Sequence, residues 1–351
     1  MKTIHLLLGI TLFALLVTVG CERKIVNEVA DESSTGALAC FGCHGDDETA
    51  LVAARQQYEM SVHGTGDTFN RNRNNESRYA SCEPCHTHQG FLANLEGETA
   101  PDGNFTRITC FTCHAPHTNG NLEVRAQNAV TLLNGEIFDR GDANQCASCH
   151  HSRADVRTYV VDSVEIDSRF GPHHGPQSDL LMGTGGYEYA DYEYDDNSAH
   201  TNVAANGCLD CHKTTSLYAT GGHVFSLYDE AEEYENTKGC NKSTCHDGDV
   251  EEFDYEGKQT EVAEMLDSLK VLMIAANLWD PIEDEAPERI VETADSAGAL
   301  FNFMFIEEDR SHGVHNTDYA ISLLESSINF LLIGNAGRAP QSDPAAPIAA
   351  H

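Results

Sequence analysis

Positive charge is what this sequence of 351 residues has least of. Lys and Arg total 21 against 56 Asp and Glu, a formal net charge of −35. That balance excludes nucleic acid as a natural partner, because phosphate binding needs cationic side chains. Basic proteins or cations are the better electrostatic match. Apolar character is also low: a mean hydropathy of −0.38 excludes a polytopic membrane protein. Apolar periodicity is scarce over most of the first 258 residues. Yet 40% apolar and 8% aromatic residues exclude a wholly disordered chain, and the length allows one large domain or two ordinary ones. What is abundant is 13 Cys and 18 His.

One apolar run stands out. Leu6–Val19 follows Lys2 and is too short to span a bilayer comfortably, matching the apolar centre of a signal peptide, here residues 1–20. Gly20-Cys21 follows directly, as at a bacterial lipoprotein cleavage site, although Thr18 stands where Leu is commonest. Cys21 is thus the expected lipidation site, and it is the only cysteine outside the pairs described next. Residues 21–36 are polar and acidic and read as a tether. The expectation is an exported bacterial protein anchored through lipid, in the periplasm or on the outer membrane, with the cell surface also open.

The other twelve cysteines form six pairs, each followed by His. Five are C-x-x-C-H: Cys40/Cys43/His44, Cys82/Cys85/His86, Cys110/Cys113/His114, Cys146/Cys149/His150 and Cys208/Cys211/His212. The sixth, Cys240/Cys245/His246, is C-x4-C-H. Two thiols at this spacing add across the vinyl groups of one porphyrin, and the adjacent His lies under the iron. Disulfides do not require His after each second Cys. Zinc sites need four ligands per ion. The reading is six covalently attached haem c groups, with the wide-spaced pair needing a bulge.

Ten further His remain outside the signal segment and the last position: His63, His88, His117, His151, His173, His174, His200, His223, His312 and His315. They exceed the six needed to cap every iron, so bis-His ligation is expected for most sites. The fold class is mainly α with extensive loops: a multihaem cytochrome c core over residues 37–258 and a C-terminal helical subdomain over 259–334. Val262, Met265, Leu266, Leu269, Leu272 and Met273 keep helical spacing. Glu288–Ile306 reads as a second helix, and Tyr319–Ile333 as a third, stopped at Gly334. Residues 335–351 read as a disordered tail. The Tyr-rich stretch Tyr187–Tyr194 reads as an acidic solvated loop.

The motif order resembles the pentahaem ammonia-forming cytochrome c nitrite reductases and their multihaem relatives, over roughly His63 to Leu332. The motifs at Cys82, Cys110, Cys146, Cys208 and Cys240 are similar to that family's five, and Ser311–Asn316 (SHGVHN) to its C-terminal ligand turn; the Cys40 motif would be additional. The resemblance implies distal ligands by position. His63 would serve the Cys146/Cys149 haem, His200 the Cys240/Cys245 haem, His223 the Cys110/Cys113 haem and His315 the Cys208/Cys211 haem. The Cys40 and Cys82 haems would draw on His88, His117, His151, His173, His174 or His312, with His117 preferred and His174 completing the set. The departures weigh more: the family's catalytic haem uses C-x-x-C-K, where this sequence has His86, and the family's Tyr after the third motif is replaced by His151-Ser152-Arg153.

The functional expectation is an electron carrier with saturated irons rather than an enzyme, and no catalytic residue is assigned. Its acidic surface would steer redox partner proteins with basic docking surfaces. A nitrite- or hydroxylamine-type reductase with one open haem, or a homo-oligomeric conducting filament, are the alternative readings.

Overall fold

The computed structural model describes residues 49–70, 81–100, 105–119, 121–196 and 198–336. The signal-like segment, Cys21, the tether, the first motif (Cys40, Cys43, His44) and the tail from 337 lie outside the described residues. All described residues fall in one compact unit, mainly helical with short strands and long loops.

Among the described residues five helices exceed two turns: α1 Thr49–Met60, α2 His88–Glu96, α3 Lys258–Ala275, α4 Ala294–Asp309 and α5 Thr317–Ala336. Local chemistry sets their ends. Helix α2 starts where the Thr87 hydroxyl accepts from the Gly90 amide at 2.9 Å and stops at Gly97, whose φ of 71° only glycine adopts at little cost. In α3 the buried residues Val262, Leu266, Leu269 and Met273 form one stripe. Helix α4 is apolar nearly all round and correspondingly buried, from Ala297 to Phe303 and at Phe305, Ile306 and Asp309. Helices α3, α4 and α5 pack against one another. Their core also takes Val156, Val160, Ile166, Phe170 and Leu180 from the motif-bearing half. Among the described residues that half has one small separate cluster: Leu132, Phe138, Ala143, Ala147 and Leu181.

Three details differ from the sequence reading. The second helix begins at Ala294, not Glu288, because Arg289–Val291 pairs antiparallel with Val164–Ile166. Pairing of β-branched Ile290 and Val291 outweighs their helix propensity. The Thr293 hydroxyl then caps α4, accepting from the Ser296 amide at 3.3 Å. Helix α5 runs through Gly334 to Ala336, since one interior glycine costs only about 1 kcal/mol.

The Tyr187–Tyr194 stretch is a packed strap rather than a solvated loop. The Tyr187 amide donates to the buried Asn302 side chain at 2.7 Å. The hydroxyls of Tyr187, Tyr192 and Tyr194 donate to Asp295 (2.7 Å), Glu325 (2.7 Å) and Ser326 (3.0 Å). No described helix is long and apolar enough to cross a membrane.

Candidate functional site

Each described C-x-x-C-H motif is close to a single helical turn. Glu83–His86, Cys110–Cys113, Asn144–Ala147 and Cys208–His212 are short helices. Helical spacing puts the two thiols on one face, with the imidazole beside them. A backbone bond closes the turn, from His114 N to Cys110 O and from His150 N to Cys146 O, both 2.9 Å. The wide-spaced motif keeps this closure: His246 N donates to Cys240 O at 3.1 Å, while Cys245 N and Asp247 N bond to Lys242 O. The two extra residues are absorbed in a turn, and the relation of His246 to Cys240 is preserved. None of the ten described motif cysteines is in a disulfide.

A second imidazole faces the motif His at all five described motifs. The ring centroids are 6.0 Å apart for His63/His150 and 6.2 Å for His200/His246. They are 6.3 Å apart for His86/His173, for His114/His223 and for His212/His315. Metal–imidazole bonds of about 2 Å on both sides of one ion, plus about 1.1 Å from each nitrogen to its ring centre, give a separation of about 6.2 Å. Haem fits this donor set, because the porphyrin supplies the equatorial donors and the protein only two. A bare zinc ion does not, since it needs four protein ligands or three with water. Among the described residues no group of three or more His, Cys, Asp or Glu could hold such an ion.

Burial keeps most of these rings neutral, with a lone pair to offer. It lowers His63, His173 and His223 to about 4, and lowers His150, His200 and His212 as well. Burial also pulls His315 down, but the Asp309 carboxylate outweighs it and holds this imidazole above its ordinary value. Backbone or side-chain acceptors orient several rings. The Nδ1 atoms lie against Gln177 Oε1 for His150 (3.1 Å), Val314 O for His200 (2.5 Å) and Phe225 O for His212 (2.7 Å).

The structure thus sets His63, His200, His223 and His315 each across from the motif His named for it above. One other expectation narrows. Across from His86 stands His173, one of the six His named for the Cys40 and Cys82 haems; the Cys40 motif, the other place open to His117 and His174, lies outside the described residues. His174 is turned away to Glu308, with Nδ1 2.6 Å from its carboxylate, and His117 packs on the Phe111 ring. His88 and His151 bond Thr112 and the Ser152 carbonyl. The signal for His173 was the run Gly171-Pro172-His173-His174-Gly175-Pro176. Its paired glycines, at φ of 145° and 141°, let the backbone turn sharply around the His pair. Sequence reasoning also missed Asp309 and Gln177, which touch no iron-facing atom and act only through an imidazole.

Thiols of different motifs lie near one another: Cys85 near Cys149, and Cys146 near Cys208. Cys113 lies close enough to Cys146, and Cys211 to Cys240, to interact electrostatically. The five described motifs are therefore contiguous in space.

No family model matches the chain. The C-type polyheme cytochrome OmcC of Geobacter sulfurreducens is 25% identical over 334 residues, covering 72% of this chain and 43% of that protein. The solved structure of Outer Cell Wall Cytochrome OcwA superposes with a TM-score of 0.50 at 19% identity, covering 78% of this chain and 49% of that one. An undecaheme cytochrome from the S-layer of Carboxydothermus ferrireducens gives 0.45 at 16% identity, over 77% and 40%. The chain spans less than half the length of each. Motifs, imidazole pairs and the sequence match define the class as multihaem c-type cytochrome. The sequence match carries that class and not the narrower likeness to nitrite reductases.

Proposed function

We propose that this chain is an exported cytochrome that conducts electrons along six covalent haems. Five would be held by His86/His173, His114/His223, His150/His63, His212/His315 and His246/His200 with their adjacent cysteines. The sixth would be held by Cys40, Cys43 and His44. The carrying observation is the repetition, five times over, of two imidazoles 6.0–6.3 Å apart beside a cysteine pair.

Haem bound there supplies a reversible one-electron iron couple. The chain's residues do the rest. Each pair of imidazoles would hold a haem iron from both sides and leave no vacancy for a substrate, which supports conduction over oxyanion reduction, including at His86/His173. The contiguous thiols support one continuous relay. The surplus of acidic residues would steer a basic redox partner. Lipid on Cys21 would tether the protein to a membrane, and the fold shared with Outer Cell Wall Cytochrome OcwA is consistent with a place at the cell's outer boundary. Self-association remains compatible with this role.

The test is intact mass together with low-temperature EPR of the oxidised protein. The expected result is six haems on the signal-processed chain, all low-spin, and one haem fewer in Cys245→Ala. A mass fitting five haems, unchanged in that variant, would remove the wide-spaced site. A large high-spin signal shifted by nitrite would make the protein a reductase.

A further inference from the structure

Of the paired imidazoles whose Nδ1 partner is described, His315 alone meets a carboxylate. Its Nδ1 lies 2.7 Å from Asp309 Oδ1. The acceptors at His114, His150, His200 and His212 are neutral oxygens of Glu123, Gln177, Val314 and Phe225. Asp309 is the last residue of α4 and its side chain is fully buried. It is held from the other side: Oδ2 accepts from the Ser311 amide at 3.2 Å and from the Ser311 hydroxyl. That hydroxyl in turn accepts from His315 N at 3.2 Å. The same helix end orients a second imidazole. Gln177 Nε2 donates to the carbonyls of Glu308 (3.3 Å) and Asp309 (3.1 Å), which leaves its Oε1 for His150. His315 lies close enough to act electrostatically on both His150 and His212.

We infer that Asp309 is a positioning residue that lowers the reduction potential of the His212/His315 centre below that of its neighbour at His63/His150. The inference rests on the haem-conducting reading above. A carboxylate drawing on the Nδ1 proton makes the imidazole a stronger donor to ferric iron. A buried negative charge also favours the oxidised, more positive state. The amide of Gln177 does neither to the same degree. The end of one helix therefore sets two adjacent centres unequally and builds a step into the relay. An electron leaving His63/His150 for His212/His315 climbs, and one passing the other way falls.

The experiment is spectroelectrochemical titration of the full holoprotein and three variants, with haem mass and EPR as controls. Asp309→Asn keeps the hydrogen bond and removes the charge. It should move one transition to higher potential by at least about tenfold in its reduction equilibrium, 59 mV for one electron, and leave the others in place. Asp309→Glu should recover most of that shift. A superimposable Asp309→Asn curve with haem content intact overturns the inference. If that variant does not fold, Ser311→Ala decides. Loss of the hydroxyl donor leaves the carboxylate freer to take the His315 proton, so one transition should move down; no shift, or an upward one, overturns the inference. Absence of haem from Cys208/Cys211 in the unaltered protein would instead overturn the reading beneath it.

Discussion

His173 faces His86 across 6.3 Å, with the two ring planes at 83°, from a backbone held in the left-handed region at φ 72°. A non-glycine residue there costs about 1–3 kcal/mol and persists only where the surroundings over-determine it. An axial bond to iron is such a determinant. His173→Ala should therefore turn one haem high-spin, seen by EPR and by the room-temperature absorption spectrum. His174→Ala, which loses its pair to Glu308 and a tilted ring contact with His173, should leave both spectra unchanged and cost no more than about 1 kcal/mol. The opposite pattern would reverse the assignment of the two residues.

Ring orientation makes a separate expectation. Perpendicular imidazoles leave two iron d orbitals nearly degenerate and give strongly anisotropic low-spin signals, whereas more parallel ones split them and narrow the signal. His63/His150 and His86/His173 stand at 82° and 83°, and His212/His315 at 38°. Oxidised protein should show both types of low-spin signal, and His63→Ala or His173→Ala should each remove part of the strongly anisotropic set. A single narrow type would contradict these orientations.

Gly298 lies in the middle of α4 under the Tyr187 ring. A Cβ there would stand 2.2 Å from the ring's Cδ1, so the strap would have to move. Gly298→Ala should destabilise the fold by about 1–3 kcal/mol, despite alanine's better helix propensity. The denaturation midpoint measures this, and an unchanged or higher midpoint would mean that Tyr187 does not rest on the helix.

Asp179 gives a pH signature. Its carboxyl is buried and accepts from the Ser152 amide at 2.7 Å. Burial raises its pKa from 3.8 to about 6, and the amide bond opposes this only in part. The group ionises more easily in the unfolded chain, so its ionisation costs the fold nothing at low pH and progressively more as pH rises through about 6. The full difference is about 3 kcal/mol. Asp179→Asn should raise the denaturation midpoint near pH 8 and not near pH 4. Equal effects at both would show that the carboxyl is not strained by burial.

The anchor points of the haems were legible because each lies within seven consecutive residues or fewer, where spacing alone fixes geometry. Four of the facing imidazoles followed only from the resemblance in motif order, and the one facing His86 was not legible. His86 and His173 are far apart in sequence, and no local pattern says which of two adjacent His will turn inward. That choice is made by Gly171, Gly175 and the Glu308 carboxylate. Helix α3 was readable from its stripe. The start of α4 was hidden because Arg289–Val291 takes its structure from a partner strand more than a hundred residues earlier. The Tyr187–Tyr194 strap looks polar residue by residue. Its burial depends on acceptors at Asp295, Asn302, Glu325 and Ser326 that only the fold brings to it.

The uneven distribution of apolar core has a consequence for biosynthesis. Helices α3 to α5 and the residues that join them bury a continuous core of ordinary side chains. Among the described residues, the stretch before Val156 contributes to one small separate apolar cluster, which Leu181 completes. A chain crossing the membrane before its cofactors are attached would thus mature from its C-terminal end. Its early motifs would stay open to the attachment machinery, and to proteases, until each porphyrin is in place.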